Sequence, residues 1–213
     1  MPTHSAETDR VRSIFDQLAP DWDRREAAGE RLLMGPHLRR ELARQLHGDV
    51  LELGSGTGAT LDLVDWSQIS SYIATDLSRG MLDRARARPS VAGRSIEFRQ
   101  LDATTLPFPD ASFDTVTTSL TLCTVPAPEQ TLREMSRVCR PEGRIVLLEH
   151  VRAPNSMLAW LQKKLTPGQV RRMGCHLDRP TDRLVREMGF PIDRDDRRLF
   201  SIFRLIVMRP LPR

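Results

Sequence analysis

Residues Glu52-Leu53-Gly54-Ser55-Gly56-Thr57-Gly58 form the strongest chemical signal in the chain. Glycines at every second position permit a left-handed backbone and let amide groups approach a ligand with no side chain in the way. The run follows an apolar stretch and precedes an amphipathic one, so it predicts a loop between a strand and a helix, backed by the positive end of that helix. The spacing is Gly-x-Gly-x-Gly, whereas a nicotinamide dinucleotide fingerprint has Gly-x-Gly-x-x-Gly, which moves the expected ligand away from a pyrophosphate. Asp76 follows Gly54 by 22 positions (76 minus 54) and ends the next predicted strand. A carboxylate there can accept from both hydroxyls of a ribose; it can equally serve a helix N-terminus, because Asp76-Leu77-Ser78 also opens a helix. Asp102 closes a third predicted strand in Gln100-Leu101-Asp102-Ala103. It either takes the exocyclic amine of adenine, with Leu101 or Ala103 beside the ring, or forms a turn before Thr104-Thr105. Three strand ends with groups suited to three parts of one molecule predict an adenosyl ligand.

Proton-transfer candidates are fewer. His150 ends a predicted strand on the ligand side of the sheet and is the first candidate for a general base; His176, beside Cys175, is the second. Each could instead be a loop histidine bonded to backbone. Glu149 either orients His150 or caps a loop. Cys123, Cys139 and Cys175 are spaced by 16 (139 minus 123) and 36 (175 minus 139) residues, which matches no metal-ligand motif, so no metal site is expected. Cys139 continues the apolar stripe of a predicted helix and reads as core.

The elements that must position these groups alternate along the chain. Val11, Ile14, Phe15 and Leu18 share one helical face, which Pro20 ends; Leu38, Leu42 and Leu46 define a second helix, stopped by Gly48. Strands are predicted at 50–53, 71–75, 95–101, 113–119 and 144–150, with helices at 59–64, at 78–88 behind Ser78 as N-cap, and from Pro126 or Pro128 through Cys139. Strands alternating with helices predict a mostly parallel sheet covered on both faces. The stretches 192–199 and 202–208 are joined too closely for a helix, so they must be antiparallel. The fold class is α/β, with a seven-stranded, mostly parallel sheet ending in an antiparallel C-terminal hairpin and extra N-terminal helices. The expected organisation is a helical cap over 1–48 and a core over 49–213, with an acceptor lid inserted at about 151–180.

Composition narrows the setting. The 213 residues are 39% hydrophobic and 28% charged, which argues against wholesale disorder, collagen-like repeats and coiled coils. No apolar run approaches the roughly 20 residues needed to span a bilayer. Residues 1–12 lack the apolar core of a signal peptide, and three cysteines make no disulfide framework, so the expected setting is the reducing cytoplasm. Of 32 basic residues only Lys163 and Lys164 are lysines, and the net charge is +4. Many arginines share helices with acids, and no basic run is interleaved with aromatic residues, so nucleic acid is not an expected partner. Met157, Leu158, Trp160, Leu161 and Leu165, with Lys163-Lys164 among them and Arg171-Arg172 beyond, read as a core helix, an acceptor-pocket wall or a membrane-peripheral face.

The motif segments resemble class I S-adenosylmethionine-dependent methyltransferases of the small-molecule branch, over Val11 to about Phe190. Leu51 to Gly58 is similar to that family's first motif; Ala74-Thr75-Asp76-Leu77-Ser78, with Met81 following, is similar to its acidic strand end. Leu106 to Asp114 matches the stretch before the fourth strand, and Arg137-Val138-Cys139-Arg140-Pro141-Glu142-Gly143 resembles the family's "RVLRPGG", with Cys139 for leucine and Glu142 for glycine. Phe15 to Asp23 resembles the opening of quinone C-methyltransferases, with Trp22 where that group has a tyrosine covering the methionine moiety; packing of the N-terminal helices is the other role for Trp22. The segments at Leu122, Glu149-His150 and Gly174-Cys175-His176 look like alkyl-thiol and phospholipid methyltransferase-like proteins, and no Asp/Asn-Pro-Pro-Tyr motif for amino methylation of bases follows the fourth strand.

The resemblance implies a Rossmann-like fold that binds S-adenosyl-L-methionine and releases S-adenosyl-L-homocysteine. It implies a cofactor site at Trp22, Glu52, Gly54, Ser55, Gly56, Thr57, Gly58, Asp76, Leu77, Met81, Asp102, Ala103 and Ser119. The implied partner is a small, largely apolar, lipid-like acceptor (thiol, quinol or phospholipid head group), for a monomer or homodimer. A non-catalytic cofactor-binding protein and a nicotinamide-dependent oxidoreductase are the competing readings.

Overall fold

The computed structural model describes residues 4–24 and 35–212. Among the described residues the elements run in the order α1 (His4–Leu18), α2 (Gly35–Ala43), β1 (Gly48–Leu53), β2 (Ile69–Asp76), α3 (Arg79–Arg86), β3 (Ile96–Gln100), β4 (Phe113–Ser119), α4 (Pro128–Val138), β5 (Cys139–His150), α5 (Ser156–Met173), α6 (Thr181–Glu187), β6 (Ile192–Arg198) and β7 (Phe203–Met208). The strands form one sheet in the order β3-β2-β1-β4-β5-β7-β6. β1 to β5 pair in parallel, and β7 inserts antiparallel between β5 and β6. The chain leaves β1 toward β2 on one side and later returns to β4 on the other. That reversal opens a crevice at the C-terminal ends of the central strands.

The period of two along the strands divides the core. Leu51, Leu53, Val116, Ile145, Leu147, Ile206 and Met208 face one side, where Leu132, Met135 and Val138 of α4 cover them. Val50, Tyr72, Val146, Leu148, Leu205 and Val207 face the other, under Leu38 and Leu42 of α2. Each fully buried leucine contributes about 1.5–3 kcal/mol over an exposed one, so a one-residue slip of a central strand would reverse both faces. The ends of α3 and α4 follow local chemistry. Ser78 Oγ accepts from Met81 N at 3.1 Å and caps α3, and α4 begins with Pro128, whose missing N–H costs nothing there.

Three local expectations change. No α-helix follows the glycine run; a 3-10 turn spans Leu61–Leu63, because Gly58 at φ +84° and the extended Val64 leave too few residues between them for α-helical propagation. The dipole expected behind the loop is therefore not that of an α-helix. Cys139 is not on the helical stripe: it is the C-cap of α4 and the first residue of β5, still buried in the core. The segment around Trp160, read as a core helix, an acceptor-pocket wall or a membrane-peripheral face, forms α5; only Ala159 of it is buried, while Met157, Trp160, Leu161 and Leu165 are exposed, so it is not a core helix. Among the described residues no helix is long and apolar enough to cross a membrane.

Candidate active site

A cavity of about 340 Å³ opens where β1, β2 and β4 end, walled on its far side by α1 and the segment at Trp22-Asp23. The glycine run forms its floor. Gly54 has φ +64°, and a Cβ there would lie 2.3 Å from Thr121 Oγ1, so only glycine lets the loop after β4 press against it. A Cβ on Gly56 would meet nothing within 4 Å, which leaves the backbone bare toward the cavity.

Three carboxylates at strand ends line the wall. Asp76 accepts from Gly56 N through Oδ2 and from Ser78 N through Oδ1, both at 2.8 Å. Burial pushes its pKa up to about 6, against the pull of those two bonds. Asp102 Oδ1 accepts from Thr104 N at 2.9 Å and Thr104 Oγ1 at 2.8 Å, so it shapes a turn while facing the cavity. Glu52 is 1% exposed and accepts from the Tyr72 hydroxyl at 2.8 Å. Burial raises its pKa, opposed by bonds from Thr60 and Tyr72 and by the charge of Arg39. Ser55 Oγ and Thr8 Oγ1, both on the wall, are buried without a hydrogen-bond partner.

The N-terminal segment is tied across this floor. Asp16 accepts from Ser78 Oγ at 2.5 Å and Gly80 N at 3.1 Å, adding a second carboxylate to the start of α3. Asp23 takes Arg88 at 2.8 Å and the Thr57 hydroxyl. Trp22 stands edge-to-face against Phe15 at 5.5 Å, and both rings line the cavity.

Of the residues singled out in the sequence, Trp22, Glu52, Gly54, Ser55, Gly56, Thr57, Asp76, Leu77, Met81, Asp102, Ala103 and Ser119 converge on this one wall. Gly58, His150 and His176 stand outside it. Gly58 packs against Leu61 and Ala85, where a Cβ would sit 3.0 Å and 3.1 Å from their side chains. His150 turns Nε2 to Cys175 Sγ at 3.1 Å, and His176 ties its backbone N to Cys123 O at 2.9 Å. Glu149 caps a loop: Oε1 accepts from Thr121 N and Leu122 N at 2.8 Å each. The Cys175 thiol is held low, first by the hydrogen bond from Cys123 and then by His150.

Sequence patterns did not reveal Thr8, Val11, Arg39 and Arg88 as wall residues. Arg39 bonds Ser119 Oγ at 3.1 Å across 80 positions of chain, and no local pattern encodes such a pairing. Phe15 and Asp23 did carry a signal, since both belong to the N-terminal motif quoted above.

A methyltransferase-domain family model matches residues 51–147. The chain is 38% identical over 140 residues to a phosphatidylethanolamine N-methyltransferase of Cereibacter sphaeroides, covering 65% of this chain and 68% of that protein. It is 38% identical over 172 residues to a demethylmenaquinone methyltransferase of Mycobacterium sp. (strain KMS), covering 76% and 69%. It spans 60% of the demethylmenaquinone methyltransferase of Clavibacter sepedonicus, at 36% identity over 148 residues and 68% of this chain. Among solved structures, the DhpI complex with S-adenosylhomocysteine superimposes with a TM-score of 0.72 at 21% identity, covering 97% of this chain and 98% of that one, which shows the fold.

Proposed function

The chain belongs to the methyltransferase-domain family and is an S-adenosylmethionine-dependent methyltransferase, and from that premise we propose that its acceptor is a small, largely apolar molecule presenting a thiol, a quinol or a phospholipid head group. One observation carries this reading: the cavity wall is divided by polarity. Glu52, Asp76, Asp102 and the unpartnered hydroxyls of Ser55 and Thr8 supply polar groups, whereas Val11, Phe15, Leu120, Val125 and Pro126 supply an apolar side.

The residues present fit the methyl donor. The bare backbone at Gly56 leaves the room that an adenosyl molecule needs, and two buried hydroxyls await polar partners. Asp76 would hold the ribose hydroxyls and Asp102 the adenine amine, with Leu101 and Ala103 beside the ring. Acidic groups on the wall suit a cationic sulfonium. When bound, the donor supplies a methyl group on sulfur, open to in-line displacement. The chain's own contribution is orientation and exclusion of water. Trp22 and Phe15 close the N-terminal side, and the loop from Leu120 to Pro126 faces the acceptor. Orientation alone can remove about 7–11 kcal/mol of a bimolecular barrier. No proton transfer is assigned to His150 or His176, because neither side chain lines the wall. A thiol or quinol acceptor would lose its proton to solvent before it enters and reach the cavity as its anion.

The names of two relatives, phosphatidylethanolamine N-methyltransferase and demethylmenaquinone methyltransferase, point to lipid-soluble acceptors and support the apolar side of the reading. The exposed row Met157, Trp160, Leu161 and Leu165 on α5, flanked by Lys163, Lys164, Arg171 and Arg172, supports peripheral contact with an anionic bilayer from which such an acceptor would be drawn. The test is an acceptor screen with the full chain, following S-adenosylhomocysteine release across alkyl thiols, quinols and phospholipid vesicles. Turnover with one apolar class is the expected result. Turnover only with water-soluble polar acceptors would overturn the assignment.

A further inference from the structure

Cys123, His150 and Cys175 are far apart in sequence, yet they meet in one place. Cys123 lies in the loop after β4, His150 ends β5, and Cys175 follows Gly174, whose φ of +66° ends α5. One ligand atom from each lies within 4.8 Å of the other two, and His150 Nε2 is 3.1 Å from Cys175 Sγ. Linear spacing hid the set, because each member comes from a different element. A tetrahedral zinc, with Zn–S near 2.3 Å and Zn–N near 2.0 Å, holds such donors roughly 3.6–3.8 Å apart. Side-chain adjustment of about half an ångström opens the 3.1 Å pair, and up to about one ångström closes a pair at the 4.8 Å limit.

From this geometry we infer that Cys123, His150 and Cys175 form a zinc(II) site with three protein ligands and one exchangeable position. Two sulfurs and an imidazole are the donor set of a soft to borderline ion, and three protein ligands are the pattern of sites that keep a place for water or an exogenous group. Two thiolates balance the charge of the ion. The surroundings hold the ligands in place. Glu149 fixes the start of the Cys123 loop through Thr121 N and Leu122 N, and Arg179 Nη1 bonds Val125 O at 2.6 Å at its end. Cys139, the remaining cysteine, sits in the sheet core and takes no part. Zinc here would clip the loop that faces the acceptor to β5 and to the segment after α5.

The experiment uses the full chain, reduced and stripped of metal, titrated with cobalt(II) as a spectroscopic probe and then with zinc(II) against a chelating dye. The expected result is saturation at one equivalent, with near-ultraviolet sulfur-to-cobalt charge transfer of two thiolates. Zinc should also slow alkylation of Cys175 at least ten-fold. Cys175→Ser should halve the charge-transfer band and weaken zinc binding at least ten-fold, while Cys139→Ala keeps both. Cys123 is buried, and should Cys123→Ser fail to fold, the wild-type titration and Cys175→Ser still decide the matter. No saturable uptake by the wild type, or unchanged binding in Cys175→Ser, overturns the site. Methyl transfer is not measured, so the result is independent of the acceptor proposed above.

Discussion

Asp76→Asn isolates the carboxylate on which the proposed ribose contact rests. In the native chain each carboxylate oxygen takes one backbone N–H, from Gly56 and Ser78, at 2.8 Å. Each oxygen keeps a second acceptor direction for a ribose hydroxyl. Asparagine offers one oxygen, sets an NH2 against one of those N–H groups and removes the charge. Losing one hydrogen bond to a charged group costs about 1.5–3 kcal/mol, or roughly a 10- to 150-fold weaker Kd for S-adenosylhomocysteine. The pKa of about 6 gives a second signature. Below that pH the carboxyl group gains a proton and loses acceptor capacity, so roughly half the sites are competent at pH 6 and roughly a tenth at pH 5. Wild-type Kd should therefore rise about ten-fold between pH 8 and pH 5, and the Asn variant should be flat. The stability linkage has the opposite sign. A folded pKa above the unfolded value of 3.8 means that the native state holds the proton more tightly, so ligand-free stability falls as pH rises from about 4 to 6. Calorimetric titration at pH 5, 6, 7 and 8, with circular dichroism to confirm folding, measures these quantities. A variant Kd within two-fold of wild type, or a pH-independent wild type, would refute the placement of Asp76 at the ribose.

Three further expectations follow from the same contacts. Tyr72→Phe withdraws the phenol that donates to buried Glu52, and urea denaturation should show a loss of about 1.5–3 kcal/mol with an unchanged m-value; an unaltered midpoint would mean that Glu52 finds another donor. Asp16→Ala removes the bonds to Ser78 Oγ and Gly80 N, and should cost about 1 kcal/mol as a lost cap while loosening α1, read as faster amide hydrogen exchange within His4–Leu18. Trp160 is 60% exposed on α5, so anionic vesicles should shift its emission to the blue with a response that weakens as salt is raised; equal spectra with anionic and zwitterionic vesicles would count against bilayer contact through this face.

The sheet was legible because most of its strands are short apolar or β-branched runs bounded by glycine, proline or aspartate, and because two adjacent C-terminal strands without a helix between them can only be antiparallel. The polar half of the site was legible for a related reason: Asp76 and Asp102 sit at strand ends, where the topology of the sheet fixes what they face. Other features depend on contacts that sequence order does not encode. The missing helix after Gly58 follows from backbone geometry on both sides of a five-residue segment, 59–63. The exposure of Trp160 depends on which face of α5 finds a partner, and its apolar spacing would be the same in a core helix. Arg39 reaches Ser119, and Cys123 meets His150 and Cys175, only after the sheet has formed.

The paired readings of the strand-end acids turn out to be compatible. Asp76 serves the start of α3 and Asp102 forms a turn, as the structural reading required, and both also line the cavity. A carboxylate has about four lone-pair sites, and the two hydrogen bonds that each of these accepts use no more than half of them. Those bonds fix the side chain before any ligand arrives, so less rotational freedom is lost on binding. The structural bond thus preorganises the functional one. Alanine at either position should therefore cost stability and affinity together, while a change confined to the apolar side, such as Val11→Ala, should weaken the acceptor more than the methyl donor. Separate titrations of donor and acceptor with Val11→Ala test that division. Equal losses for both would show that α1 covers the donor rather than selecting the acceptor.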